Sequence, residues 1–217
     1  MGKSKKKNKV VKKRIVIRPS WSDGQKLLTH ARSKRDLLLM RLCLYQALRE
    51  GEILGSSYPI HGILKPLTFD DVDLERKVIL IHGKGDSIEE VFLEDLITFQ
   101  LMKDYIERNK KKKFKSFSNQ IFHLSTRHFQ RLVKQAAIDA KIENAERFSP
   151  HTLRALSITY YNTKTGNLSR AQHHARHKSI KTTTLYDRPD SQTRREEESK
   201  VFDEGDDKRT DEESSTD

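Results

Sequence analysis

Residues 151–186 read HTLRALSITYYNTKTGNLSRAQHHARHKSIKTTTLY, and this stretch decides the fold. Ser149-Pro150 just before it marks a helix start, because proline lacks the N–H that a first helical turn leaves unpaired anyway. The spacing predicts a helix to about residue 163, on which His151 and Arg154 share one face. Thr165-Gly166-Asn167 interrupts it, and a further helix near residues 168–176 leads into His177. Tyr186 follows nine residues later. A histidine, an arginine, a second histidine and a tyrosine are thus set out where one phosphodiester can be gripped and attacked.

Working outward, Ser20-Trp21-Ser22-Asp23 has the form of a capping box that opens a helix to about residue 31. Residues 34–54 read as one longer helix, with Leu37, Leu38, Met40, Arg41, Leu44, Tyr45 and Leu48 on a broad face and Arg49 and Glu52 at its end. GSSYPIHGILKP at 55–66 breaks both helix and strand periods and reads as a surface loop. KVILIH at 77–82 and IEEVFL at 88–93 flank GKGDS, the pattern of a hairpin with Lys84 near its tip. Helices follow at about 94–108 and 125–140, the second with Phe129, Leu132, Val133, Ala136 and Ala137 at helical spacing. Between them NKKKKFK at 109–115 is read as a phosphate-touching loop, with a solvated turn as the alternative. The fold class expected is mainly α with a small antiparallel β-hairpin or sheet, an α+β arrangement. Tyr45, Tyr160, Tyr161 and the single Cys43 sit in apolar helical patterns and are expected to pack.

Charge narrows the class of partner. The chain of 217 residues carries a formal net charge of +12, but its ends differ in sign. Residues 190–217 hold 12 acidic and five basic side chains, a balance of −7, so residues 1–189 carry +19. A field of that size attracts polyanions, which points to nucleic acid. Three segments are expected: a flexible basic arm at 1–19, a domain at 20–189, and an acidic disordered tail at 190–217, too polar to bury a core of its own. No apolar run approaches the roughly 20 residues needed to span a bilayer, and no secretory signal is evident. The expectation is a cytoplasmic, nucleoid-associated protein without membrane contact. His173, His174 and His177 could share a helix face, but no carboxylate or cysteine joins them at ligand spacing, so neither a metal nor another cofactor is expected.

These residues together resemble the catalytic domain of tyrosine recombinases, the phage-integrase and Xer-like enzymes, over about residues 20–190. Ala47-Leu48-Arg49-Glu50-Gly51-Glu52 is similar to the family's first box, G-L-R-x-x-E, with Ala in place of Gly. Gly83-Lys84-Gly85 matches the hairpin lysine, and His151-Thr152-Leu153-Arg154 the second box, H-x-x-R. His177, Ser179-Ile180-Lys181-Thr182-Thr183 and Tyr186 complete the third. The resemblance implies six catalytic residues: Arg49, Lys84, His151, Arg154, His177 and Tyr186. Each type suits phosphoryl transfer. Guanidinium forks match the charge that gathers on non-bridging oxygens, so Arg49 and Arg154 would form the clamp. A tyrosine of pKa about 10 needs a proton acceptor, for which His151 is the candidate. A lysine on a hairpin can protonate the leaving 5′ oxygen, the role implied for Lys84. His177 would bond or position the phosphate.

Two departures bear on what the resemblance implies. Ala175-Arg176 stands where relatives often have Leu-Gly, which leads to the expectation that Arg176 itself contacts DNA. Only about 19 mostly basic residues precede the first expected helix, where relatives carry a helical core-binding domain. The sequence is then expected to be either an excised catalytic domain or a compact enzyme in which the basic arm or an accessory DNA-binding protein replaces the missing half. The partner expected is double-stranded DNA, with a homodimer or tetramer assembled on it. The activity implied is site-specific DNA recombination. An accessory DNA-binding relative without catalysis and a type IB topoisomerase that relaxes supercoils are the alternatives.

Overall fold

The computed structural model describes residues 19–56, 64–82, 87–110, 119–177 and 179–184. Lys84, Tyr186, most of the basic loop, the acidic tail and all but the last residue of the basic arm lie outside the described residues. Helix α1 (Trp21–Leu28) starts at the expected capping box: Ser20 Oγ accepts from Asp23 N at 3.2 Å, and Asp23 Oδ2 accepts from Ser20 N at 2.8 Å. It ends at Leu28 rather than near residue 31, in a turn where His30 N and Ala31 N bond to Leu27 O and Leu28 O.

Helix α2 (Lys34–Tyr45) is buried continuously from Leu38 to Leu44, and a helix buried on every side belongs at the centre. It packs against α4 (Leu96–Lys110) and α6 (Pro150–Thr165). The charge inside that run is compensated. Arg41 Nε donates to Thr98 Oγ1 at 3.0 Å, Nη2 donates to Asp95 Oδ2 at 2.5 Å, and the Tyr45 ring lies 4.3 Å from the guanidinium.

The single helix expected over residues 34–54 does not form. The chain leaves α2 at Gln46, Ala47 takes a left-handed φ of 49°, and a separate α3 (Glu50–Leu54) begins with Arg49 as its N-cap. The apolar period runs on through Leu48, which is fully buried, so periodicity alone does not reveal the break. Bonds to the Ala47 carbonyl from helices far along the chain impose it.

Strands β1 (Val72–Asp73), β2 (Val78–His82) and β3 (Ile88–Phe92) form an antiparallel sheet in that order. The β2–β3 register runs from Val78↔Phe92 to His82↔Ile88, matching the expected hairpin, whose turn residues 83–86 lie outside the described residues. β1 is too short to carry a sequence period. Ser56 and Leu64 exchange two backbone bonds of 3.0 Å across the expected loop.

Helix α5 (Thr126–Asp139) buries Phe129, Val133, Ala136 and Ala137 as its spacing predicts. Phe122 and Phe129 are the largest fully buried side chains, and truncating either to alanine would cost about 3–5 kcal/mol. Trp21 stacks on Tyr160 at 4.0 Å and meets Tyr45 edge-on at 5.4 Å, which joins α1, α2 and α6 and gives both tyrosines their packing role. Cys43 is likewise fully buried. Gly166, at φ 58°, closes α6, and α7 (Leu168–Ala175) and a short α8 (Ile180–Thr183) follow. The fold is mainly α with a small three-stranded antiparallel sheet. Among the described residues no helix is long and apolar enough to cross a membrane.

Candidate active site

The break after α2 turns Arg49 out of the core. Leu48 N bonds Leu42 O at 3.1 Å, and Glu52 Oε2 accepts from Arg49 N at 2.7 Å, which fixes the first turn of α3. Glu52 Oε1 accepts from Arg49 Nη1 as well. The Arg49 side chain is 41% exposed, whereas Glu52 is buried beneath it.

Helix α6 presents His151 and Arg154 to the same region. Ser149 Oγ accepts from Thr152 N at 3.3 Å, and Pro150 occupies the first turn, so the chemistry predicted for this start is what forms. His151 is exposed, while Arg154, one turn deeper, is 2% exposed. Arg154 Nη1 donates to Ala47 O and Nη2 to Ala175 O, tying the turn before Arg49 to the end of α7. Ala47, Ile158 and Ala175 pack together beside these bonds, which gives the Ala47 methyl a function that glycine lacks.

The third segment departs from the sequence expectation at Arg176. It sits at a left-handed φ of 52° closing α7, and its side chain is only 7% exposed. The guanidinium turns inward instead of toward solvent: Nη1 donates to Gln46 O at 3.2 Å, and Nη2 donates to Ala47 O and to Glu52 Oε2, each at 2.9 Å. An arginine with these partners spends its Nη donors on a buried carboxylate and two carbonyls, and it borders the cleft from beneath rather than standing out from the surface. His177 comes next, its Nδ1 3.0 Å from the Oγ1 of Thr183, which is fully buried in α8. The three histidines diverge. His173 is exposed, and His174 stacks on Tyr161 at 4.4 Å with Nε2 2.9 Å from Ser157 Oγ.

Arg49, His151, Arg154 and His177 line one cleft of about 1090 Å³. Ser87 and Glu89 reach its wall from the base of the hairpin, and Ser179 and Thr182 from the segment that leads toward residue 186. On α5, Arg127 and Gln130 border the same cleft, and Gln130 Nε2 donates to Glu50 Oε1 at 2.8 Å. Lys84 and Tyr186 are outside the described residues.

The electrostatics suit an anion. Burial would raise the Glu52 carboxyl, but Arg176, Arg49 and Arg154 outweigh it and hold the group below the usual carboxylate range. Burial, then Arg154, Arg49 and Arg176, push His177 down to about 4, so its ring is neutral at pH 7. Partial desolvation against the cleft wall, then Arg154 and Arg49, lowers His151 in the same sense, which leaves it able to accept a proton. Glu50 is raised by desolvation, partly offset by Gln130.

Sequence reasoning missed two of the residues that hold the cleft together. Glu52 was visible as part of the first box but had no assigned work, and Thr183 was visible as part of S-x-x-T-T. Both gain a role only from the fold, as the shared acceptor of two arginines and the partner of His177.

Comparison with known proteins gives the family and the fold. The model of the phage integrase family matches residues 22–193. Tyrosine recombinase XerA of Saccharolobus solfataricus is 28% identical over 162 residues, covering 75% of this chain and 48% of that protein. The chain therefore spans about half the length of the curated relative it matches. Among solved structures, a XerA recombinase superposes with a TM-score of 0.71 at 20% identity, covering 85% of this chain and 63% of the other. XerH site-specific recombinase, solved bound to its palindromic difH substrate in a post-cleavage complex, superposes with a TM-score of 0.68 at 22% identity, covering 86% and 53%. By sequence and by fold, the chain belongs to the phage integrase family.

Proposed function

We propose that this chain is the catalytic domain of a site-specific recombinase or integrase, which cleaves and rejoins DNA strands through a 3′-phosphotyrosyl intermediate on Tyr186. In the cleavage step the Tyr186 oxygen attacks the scissile phosphorus and its proton passes to His151. The bond to the 5′ oxygen breaks, and that oxygen takes a proton from Lys84. Arg49 and Arg154 bear the charge that builds on the non-bridging oxygens, and neutral His177 donates a hydrogen bond to one of them. The energy of the broken bond is retained in the phosphotyrosine, so rejoining by a 5′ hydroxyl needs no nucleotide and the step needs no metal.

The observation that carries this reading is that Arg49, His151, Arg154 and His177, from three separate segments, line one cleft. The wall of that cleft includes Thr182, four residues before Tyr186. The partner proposed is double-stranded DNA, bound by a homodimer or tetramer, with the basic arm or an accessory DNA-binding protein contributing to the grip. The XerH structure contains its own DNA substrate. Localisation with the DNA follows from the same reading.

Covalent trapping tests it. The protein is incubated with sheared, nicked duplex DNA and denatured in SDS, with wild type and Tyr186→Phe side by side. A DNA-linked band in the wild type alone is expected, and sequencing the attached DNA identifies the site. DNA binding without any adduct would favour a non-catalytic DNA-binding relative. Efficient supercoil relaxation without exchange between two sites would favour a type IB topoisomerase.

A further inference from the structure

Position 176 is costly to fill with arginine. Its backbone is left-handed at φ 52°, a conformation that favours glycine and penalises a side chain by about 1 kcal/mol. Its charge is also withdrawn from water, at 7% exposure. Glycine would avoid both costs and is what the resembling third boxes often carry. A residue retained against two such penalties has to return something that glycine cannot.

The contacts show what it returns. Glu52 offers two oxygens: Arg176 Nη2 takes Oε2, and Arg49 Nη1 takes Oε1. Arg176 shares Oε2 with the Arg49 backbone N–H, and these two bonds together set the plane of the carboxylate that holds the guanidinium of Arg49 at the cleft. Arg176 also donates to the carbonyls of Gln46 and Ala47, the left-handed turn just before Arg49. Side chain and backbone of Arg49 are both held from position 176. Charge adds to this. Arg176 is the largest of the three arginine charges acting on Glu52, ahead of Arg49 and Arg154, and with Glu89 Oε2 4.0 Å from its Nε it offsets part of the carboxylate's charge beside the clamp. Arg49, Glu52, Arg154 and Arg176 border the same cleft.

We infer that Arg176 is a positioning residue for strand cleavage: it orients Glu52 and the Arg49 turn, and it restores positive potential at the scissile phosphate without touching it. This rests on reading the cleft as a site of phosphoryl transfer. Arg176 therefore acts on the rate of the chemical step more than on the affinity for DNA. Exposed arginines and lysines that meet phosphates would do the reverse.

The test is single-turnover cleavage of a nicked duplex carrying the site recovered by adduct sequencing, using the full chain, with DNA affinity measured in parallel by fluorescence anisotropy. Arg176→Gly relieves the backbone strain, so a loss of rate in it is not a consequence of a bad φ. It should bind DNA within about twofold of wild type and cleave ~10- to 100-fold more slowly, the scale of a small misplacement in a reacting geometry. Arg176→Lys, which keeps the charge and reaches Glu52, should recover part of that loss. Arg176→Gln, which keeps a donor without the charge, should recover less. If Arg176→Gly fails to melt cooperatively, the Lys and Gln variants carry the comparison. Wild-type cleavage rates in Arg176→Gly, or an affinity that falls in step with the rate, would overturn the inference while leaving the function intact. A wild type that forms no adduct on any DNA would sink the phosphoryl-transfer reading, and the role of Arg176 with it.

Discussion

Arg176 Nη2 donates to Glu52 Oε2 at 2.9 Å, and both side chains are buried, at 7% and 6% exposure. This pair joins the end of α7 to the start of α3, and Glu52 spends its other oxygen on Arg49. Removing the acid leaves the buried Arg176 guanidinium with only the more exposed Glu89 carboxylate, 4.0 Å from its Nε, as counter-charge among the described residues. Glu52→Ala should therefore destabilise the domain by about 3–5 kcal/mol in urea unfolding, and Glu52→Gln by less, because the amide still offers an oxygen. An unchanged midpoint for Glu52→Ala would show that the pair contributes nothing.

Acid should weaken the fold through His174 before it reaches the carboxylates. Burial, then Arg176 and Arg154, lower the His174 pKa from 6.5 to about 4. Unfolded, the ring takes a proton near 6.5; folded, it stays neutral until about 4. The unfolded state thus binds more protons across that window, and stability falls as pH drops from 6.5 to 4, by roughly 3 kcal/mol at most for this group. His177, lowered to about 4 but nearer solvent, adds a smaller loss of the same sign. Glu52, held low, then loses its contribution as pH falls below 4.5 through its folded value. Melting temperature recorded against pH should decline from about pH 6.5 downward. His174→Gln should flatten the upper part of that decline, and identical slopes would contradict the assignment.

What was legible in the chain, and what was not, divides along a physical line. Local chemistry could be read: the caps at Ser20 and Ser149, the hairpin strands, and the α5 face of Phe129, Val133 and Ala136 all form where residue type and spacing put them. Apart from the early end of α1 at Leu28, the two departures at Ala47 and Arg176 both concern long-range bonds. Ala47 breaks what looks like one helix because Arg154 and Arg176, more than a hundred residues on, bond its carbonyl. Arg176 looked like a DNA contact because an arginine in place of glycine suggests surface charge, and its acceptors, Gln46 O, Ala47 O and Glu52, are invisible until the fold assembles them. The order of the candidate residues was readable; the network that holds them was not.

Thr183 is fully buried with its hydroxyl 3.0 Å from His177 Nδ1, so it fixes the ring and determines which face of the imidazole meets the cleft. Thr183→Val keeps the shape and removes the hydroxyl. The expected result is a cleavage rate about tenfold lower with DNA affinity unchanged and a stability loss of about 1 kcal/mol, the worth of one ordinary hydrogen bond. Equal cleavage rates for the two proteins on the same nicked duplex would remove Thr183 from the site.

The two arginines proposed as the clamp should separate cleanly when each is cut to alanine, because Arg49 is half-exposed at the cleft and Arg154 is built into the fold beneath it. Arg49 is 41% exposed, and without it Glu52 still holds Arg176 and the Arg49 backbone N–H. Arg49→Ala should therefore cost about 1 kcal/mol or less in unfolding, the scale of a partly exposed ion pair, yet form no DNA adduct. Arg154 is 2% exposed and spans the carbonyls of Ala47 and Ala175. Arg154→Ala opens a cavity and strips the Ala175 carbonyl of that donor, so it should lose about 3–5 kcal/mol as well as cleavage. Urea unfolding and covalent trapping run on the same two preparations decide the matter. Equal stability losses would mean that Arg49 is as structural as Arg154, and an adduct from Arg49→Ala would take the exposed guanidinium out of the clamp.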